Sequence, residues 1–272
     1  MDDFKFKKKY GQNFLKDDRI VEKIVTLSDI EDDSLVIEVG PGKGILTRQL
    51  SKAAKSVICY EIDMQLEGYL INLSKELSNV EVVFSDFLDV DLAKKVSDYK
   101  YKHLYFISNV PYYITTPIIM KLLEEKLDIE TITVMVQKEV ADRLIAIPGE
   151  KNTGAITYSV YYYATSENVT IVENNSFIPE PEVDSEVIKL SIRKNPPVEL
   201  LDEDQFFKTV KASFMQRRKT LINALVNGGI LKSKQDAKKL FDDLNMNYNT
   251  RGESLSIEMF AEISNYIVNN KI

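Results

Sequence analysis

The sequence predicts an α/β protein, a doubly wound and mostly parallel sheet with a small all-helical domain after it. Three observations carry this expectation. Apolar runs of strand length alternate with helical patterns through the first two-thirds of the chain, as βαβ units require. A glycine turn, Gly40-Pro41-Gly42-Lys43-Gly44, directly follows the first long run. Beyond Asn195-Pro196-Pro197 only helical periodicity remains.

In chain order, the strands are expected at Leu35–Val39, Val57–Glu61, Val80–Phe84, Leu104–Ile107 and Ile132–Val136. Helices are expected between them at Leu46–Ala53, Met64–Leu77 and Pro117–Leu127. Two further β-rich runs, Ala155–Ala164 and Glu186–Arg193, follow without an intervening helix and read as an antiparallel hairpin closing the sheet. The apolar stripe Phe206, Val210, Phe214, Leu221 and Leu225 predicts one helix ended by Gly228-Gly229, with two more at Lys234–Leu244 and Ser256–Val268. Residues 1–194 form the expected sheet domain and 195–272 the helical one.

Composition excludes several classes. The chain has 272 residues, 44% of them apolar and 28% charged, which is ordinary for a soluble globular protein. No stretch approaches 18 uncharged apolar residues, and the N-terminal MDDFKFKKKYGQNF has no apolar signal region, so a cytoplasmic protein is expected. Cys59 is the single cysteine and His103 the single histidine, which leaves no disulfide, no Cys/His zinc set and little for a histidine-based triad. Cys59 reads as inert core and His103 as surface. Net charge is −7, yet positive charge clusters at Lys5, Lys7, Lys8 and Lys9, interleaved with Phe4, Phe6 and Tyr10, and again at Arg217, Arg218 and Lys219. Each cluster reads either as a solvated face or as phosphate contacts.

The glycine spacing is G-x-G-x-G rather than the dinucleotide G-x-G-x-x-G. Glu38 before the turn would repel a pyrophosphate and could favour an amine-bearing ligand. Glu61 ends the second strand, where a carboxylate can accept both hydroxyls of a ribose. Asp86, after the third strand, could accept from an adenine amino group. Acids at three successive strand ends, with no lysine for phosphates, describe a nucleoside with a cationic tail, and S-adenosyl-L-methionine fits that description. Downstream, Asn109-Val110-Pro111-Tyr112 ends the fourth strand. The amide oxygen and the Val110 carbonyl could accept from the amino group of a planar base while the Tyr112 ring stacks on it. The same four residues also read as an ordinary strand-to-turn sequence.

Nearly end to end, the chain resembles the KsgA family of ribosomal RNA adenine dimethyltransferases. The resemblance is carried by Tyr10–Leu15, the glycine turn, Asn109–Tyr112, Gln137–Leu144, Phe177-Ile178-Pro179, Val183-Asp184-Ser185, Gln216–Leu221 and Arg251–Ser256. It implies a Rossmann-like S-adenosylmethionine-dependent methyltransferase domain, with S-adenosylhomocysteine as product and no metal. It also implies roles. Asn13 and Leu15 would close over the methyl donor, with Gly40 and Gly42 beside it, Glu61 on its ribose and Asp86 on its adenine. Asn109, Val110, Pro111 and Tyr112 would hold the target amine and base, Phe177 would cover the base's other face, and Arg217, Arg218 and Lys219 would meet RNA. The implied substrate is two adjacent adenosines near the 3′ end of small-subunit (16S) RNA in a pre-assembled small ribosomal subunit, acted on by a monomer, with a ribosome-biogenesis checkpoint beside it. Tyr113 departs from the asparagine that many relatives carry. Three rival readings are a resistance-type large-subunit (23S) methylase, a non-catalytic assembly factor and an NAD-dependent oxidoreductase.

Overall fold

The structure, a computed structural model, describes residues 13–216 and 218–272. The basic run at Lys5–Lys9 and Arg217 lie outside these residues. The described chain divides into two compact units. One runs up to Ala141 and resumes over Thr165–Ile192; the other comprises Asp142–Ala164 and Arg193–Ile272.

The first unit opens with the short strand β1 (Phe14–Leu15) and helix α1 (Asp18–Leu27). Then come β2 (Ser34–Val39), α2 (Ile45–Ala53), β3 (Ser56–Glu61), α3 (Glu67–Glu76), β4 (Val80–Phe84) and α4 (Leu92–Val96). They are followed by β5 (His103–Asn109), α5 (Thr115–Glu124), β6 (Ile129–Gln137) and α6 (Lys138–Leu144). Strand order in the main sheet is β4-β3-β2-β5-β6-β9-β7, where β7 is Ala164–Val172 and β9 is Ser185–Ile192. The pairs from β4 to β6 are parallel, and β9 returns antiparallel to β6. β1 forms its own antiparallel ladder with β8 (Phe177–Ile178).

Every residue of β2 is buried, as expected for a central strand covered on both faces. On one face Val36, Val57, Cys59, Tyr105, Ile107, Met135 and Val187 pack with Val21 and Ile24 of α1 and with Leu46 and Leu50 of α2. Cys59 is buried and free, as expected of core. His103 is half-buried, its Nδ1 2.5 Å from Glu130 Oε1. No helix among the described residues is long and apolar enough to cross a membrane.

Two expectations need correction. Ala155–Ala164 is not a strand. It is helix α7 (Ala155–Tyr163), and the edge strand is the more polar β7 that follows it. The tyrosine- and valine-rich run has strand propensity, but tertiary packing overrides it. Tyr158 and Tyr162, one helical turn apart, are both buried in the core of the helical unit. Tyr158 packs edge-on against Phe260 (4.9 Å between centroids), and its hydroxyl donates to the Leu255 carbonyl at 2.6 Å. Thr157 caps the helix start, accepting from the Gly154 N–H at 2.9 Å and donating to the Arg143 carbonyl at 2.6 Å.

The second correction concerns the long helix expected through Leu225. It divides into α8 (Glu203–Met215) and α9 (Leu221–Asn227). At the break, the Leu221 N–H turns to the Thr250 carbonyl at 2.7 Å instead of to its own helix. Helices α10 (Lys234–Asp243) and α11 (Ile257–Asn270) complete the unit. Its core joins Phe206, Leu221, Leu225, Leu240, Phe241, Phe260 and Ile263.

Tyr158→Phe should destabilise the helical unit by about 1–2 kcal/mol, because it leaves the Leu255 carbonyl buried without its donor. Tyr158→Ala should cost about 3–5 kcal/mol through the cavity it opens. Chemical denaturation of the two variants measures both.

Candidate functional site

Strand order reverses between β2 and β5, and open α/β sheets bind ligands in the crevice at such a point. Here the crevice is a cleft enclosing about 1180 Å³, its open mouth included. It brings together Asn13, Leu15, Gly40, Gly42, Glu61, Asp86, Asn109, Val110, Pro111 and Tyr112. These ten positions are spread over almost a hundred residues of sequence, so folding alone assembles them.

The floor is the glycine turn. Gly40 and Gly42 have φ of +69° and +57°, the left-handed region that side chains disfavour. The Gly40 N–H donates to the Tyr60 carbonyl at 2.8 Å, and a Cβ on Gly40 would point at Pro111, 3.5 Å from its Cδ. A Cβ on Gly42 would fall 2.8 Å from the Phe14 ring. The turn therefore touches both the N-terminal strand and the Asn109–Tyr112 segment. β1 stays across the cleft through its ladder with β8, which pairs Leu15 with Phe177, and through the Lys16 N–H, which donates to the Ser176 carbonyl at 3.0 Å.

Glu61 is 5% exposed, and its Oε1 accepts the Asp63 N–H at 2.8 Å. Burial pushes its carboxyl above the ordinary range, outweighing the N–H groups of Asp63, Gly42 and Ile62 that favour the charged form. A diol donating two O–H bonds would relieve that cost. Asp86 is half-buried and spends Oδ1 on the Leu88 N–H at 2.9 Å, which fixes the carboxylate at the cleft wall. Ser85 Oγ, in the same wall, is buried without a partner among the described residues. Carboxylates at two strand ends, an unsatisfied hydroxyl and a bare glycine turn fit a nucleoside with a cationic tail.

Glu38 also lines the cleft. It is 2% exposed and turned inward, accepting from Thr47 Oγ1 at 2.7 Å with Cys59 Sγ at 3.4 Å. Burial raises its carboxyl to about 7. Its work is to hold the start of α2 under the glycine turn.

Asn109 ends β5, with Nδ2 donating a long hydrogen bond (3.5 Å) to the Asn13 carbonyl. This direction leaves Oδ1 as the acceptor at the cleft. Pro111 supplies no N–H, and its own carbonyl accepts from the Ile114 N–H at 3.1 Å and from Thr115 Oγ1 at 3.4 Å. The Val110 carbonyl carries no such bond among the described residues. Tyr112 is half-buried, and its hydroxyl meets Ser185 Oγ at 2.7 Å; Ser185 is fully buried. Ser185 escaped the sequence reading as a site residue, although the Val183-Asp184-Ser185 motif had marked its segment. Tyr113 is exposed at the cleft mouth.

Phe177 is 1% exposed and packed in the core with Leu15, Val172 and Val187, behind the cleft lining. Alternation along β8 sends Phe177 inward and leaves Ile178 exposed. Paired with Leu15, Phe177 anchors β1. In the helical unit, Arg218 and Lys219 are exposed at the break between α8 and α9.

The doubly wound sheet and this cleft define an enzyme of the S-adenosylmethionine-dependent methyltransferase class. Within it, the chain belongs to the ribosomal RNA adenine dimethylase family, whose model matches residues 3–268. It is similar to the ribosomal RNA small subunit methyltransferase A of Clostridioides difficile, with 47% identity over 270 residues, 99% of this chain and 93% of that one. The fold is shared with a dimethyladenosine transferase from Plasmodium falciparum (TM-score 0.78, 24% identity, covering 95% of this chain and 98% of that one). The 23S rRNA methyltransferase ErmE is also similar (TM-score 0.68, 26% identity, 93% and 98% coverage).

Two predictions follow from the geometry. The folded carboxyl of Glu38, near 7, lies above its ordinary 4.5, so its stabilising contribution is complete below 4.5 and is lost as pH rises through 7. Glu38→Gln should thus reduce the stability difference between about pH 5 and about pH 8.5, by up to roughly 3 kcal/mol, in urea unfolding at the two pH values. Tyr112→Phe and Ser185→Ala should each slow methyl transfer about fivefold, and the double variant should be no slower than either, as measured by single-turnover kinetics.

Proposed function

We propose that this chain dimethylates the exocyclic amines of two adjacent adenosines near the 3′ end of small-subunit (16S) ribosomal RNA. It does so as a cytoplasmic monomer acting on a pre-assembled small subunit, and its action marks a checkpoint in ribosome biogenesis. The observation that carries the chemistry is the pair of acceptors at the end of β5, Asn109 Oδ1 and the Val110 carbonyl, set beside the glycine turn. The similarity to the ribosomal RNA small subunit methyltransferase A of Clostridioides difficile supports the small-subunit assignment.

S-adenosylmethionine supplies an electrophilic methyl group when bound. Glu61 would hold its ribose, Asp86 its adenine amine, and Gly40 and Gly42 would lie against its methionine part, with Asn13 and Leu15 closing over it. The amine of adenine is a poor nucleophile because its lone pair is delocalised into the ring. Accepting both N–H bonds at Asn109 and Val110 favours a more tetrahedral nitrogen with its lone pair aimed along the cleft. No strong general base is required, since the nitrogen's proton becomes acidic once the methyl has transferred. The rate gain then comes from in-line placement and electrostatics. Unstacking a base from RNA costs a few kcal/mol. Stacking on Tyr112 returns roughly 1–3 kcal/mol of that. Arg218 and Lys219 would meet phosphates, with Arg217 beside them in sequence.

Asn109→Ala should lower methyl transfer by about a hundredfold or more while donor binding by calorimetry persists. The reading itself is tested by offering labelled donor to small and large ribosomal subunits that lack the modification. Label in dimethyladenosine of the small subunit is expected. Label confined to the large subunit would move the protein to the function of ErmE, whose fold it shares.

A further inference from the structure

A second hollow lies beside the reaction cleft, lined by Gln137, Lys138, Glu139, Asn174, Glu182, Val183 and Asp184, and encloses about 880 Å³ with its open mouth. Its place in the sheet ties it to the site. Gln137 ends β6, which runs parallel to β5, and Asn109 pairs with Met135, two residues earlier. With strands about 4.8 Å apart and about 3.3 Å per residue, Gln137 lies roughly 8 Å from Asn109, at the same carboxyl end of the sheet. Across β9, Gln137 pairs with Ser185, the residue whose hydroxyl meets Tyr112. The hollow thus shares a wall with the residues that hold the stacking ring.

Its walls are built. The Asn174 N–H donates to Asp184 Oδ1 at 3.0 Å, Asn174 Nδ2 to the Pro181 carbonyl at 3.3 Å, and the Lys138 N–H to the Asp184 carbonyl at 3.1 Å. Behind Lys138 stands Glu186, 1% exposed, with neither carboxylate oxygen hydrogen-bonded among the described residues. The Lys138 ammonium approaches it only to 3.6 Å. Glu186 lies behind the lining and bears on the hollow through Lys138.

The lining chemistry selects among ligands. Three carboxylates against one ammonium repel a phosphate and accept hydrogen bonds, so the guest presents N–H donors. The amides of Gln137 and Asn174 and the Lys138 ammonium can donate to ring nitrogens. An adenine has both an amino group and such nitrogens. We propose that this hollow is a subsite for the base of the nucleotide next to the target adenosine, an adenine recognised through its amino group. The inference rests on the reading of two adjacent adenosines given above. A fixed hollow takes the neighbour on one side of the target only, so just one of the two adenosines reacts with its partner's base seated there.

The test uses small subunits reconstituted around ribosomal RNA in which either adenosine of the pair is replaced by purine riboside, which lacks only the amino group. With the wild-type enzyme, methylation of the remaining adenosine should show a KM at least about tenfold higher for one of the two replacements, with kcat nearly unchanged. The double variant Glu139→Gln, Asp184→Asn keeps the shape of the hollow. It should show the raised KM on natural particles and no further response to the replacement. Donor binding by calorimetry reports folding, and Glu139→Gln alone carries the same comparison if the double variant fails to bind donor. A wild-type enzyme indifferent to both replacements would overturn the inference, as would a variant that responds as fully as the wild type. Failure of the parent reading looks different: the wild-type enzyme would transfer no methyl to natural small subunits.

Discussion

The site depends on one hydroxyl. Ser108, the penultimate residue of β5, donates to the Val39 carbonyl at 2.5 Å, and its Oγ lies 3.3 Å from the Val39 N–H. The pairing of β2 with β5 ends at Ile37 and Phe106, so beyond that point the strands part and their backbones no longer hold each other. Ser108 bridges the gap where main-chain pairing gives out. The glycine turn begins one residue after Val39, and Asn109 is one residue after Ser108. A single side chain therefore sets the distance between the part of the cleft suited to a nucleoside donor and the part suited to an amine. The hydroxyl acts as donor and acceptor at once, which no apolar residue of its size can do.

Around that bridge the protein tolerates charge where charge is costly. Glu38 and Glu61 lie at neighbouring strand ends, both almost wholly buried, and the Glu61 charge raises the Glu38 carboxyl beyond what burial does. They are satisfied differently. Glu38 is bound by side chains of this protein, Thr47 and Cys59. Glu61 is held by main-chain N–H groups and faces the cleft. One carboxylate is bound by neighbouring side chains and the other by main-chain groups, although both sit near the carboxyl ends of adjacent strands.

Much of this was legible in the sequence, and the exceptions have identifiable causes. The alternation of apolar runs placed the parallel strands correctly, because strands buried on both faces read as unbroken apolar segments. The glycine turn, Glu61, Asp86 and Asn109 were readable because they sit at strand ends, where local sequence specifies position. Helix α7 was misread because tyrosines that pack as a helical face have the composition of a strand. Ser108 and Ser185 were missed for a further reason: their partners are 69 and 73 residues away, and a serine carries no local mark of a distant hydrogen bond.

The short ladder between β1 and β8 has a consequence for energetics. Leu15 lines the cleft on the donor side, and it is paired with Phe177, which lies on the same segment as Ser185, the partner of Tyr112. The cleft wall at Leu15 and the ring of Tyr112 are thus both tied to one stretch of chain, from Phe177 to Ser185. Such sharing couples the two equilibria. Whatever factor an occupied donor site contributes to the affinity for RNA, bound RNA must contribute to the affinity for the donor.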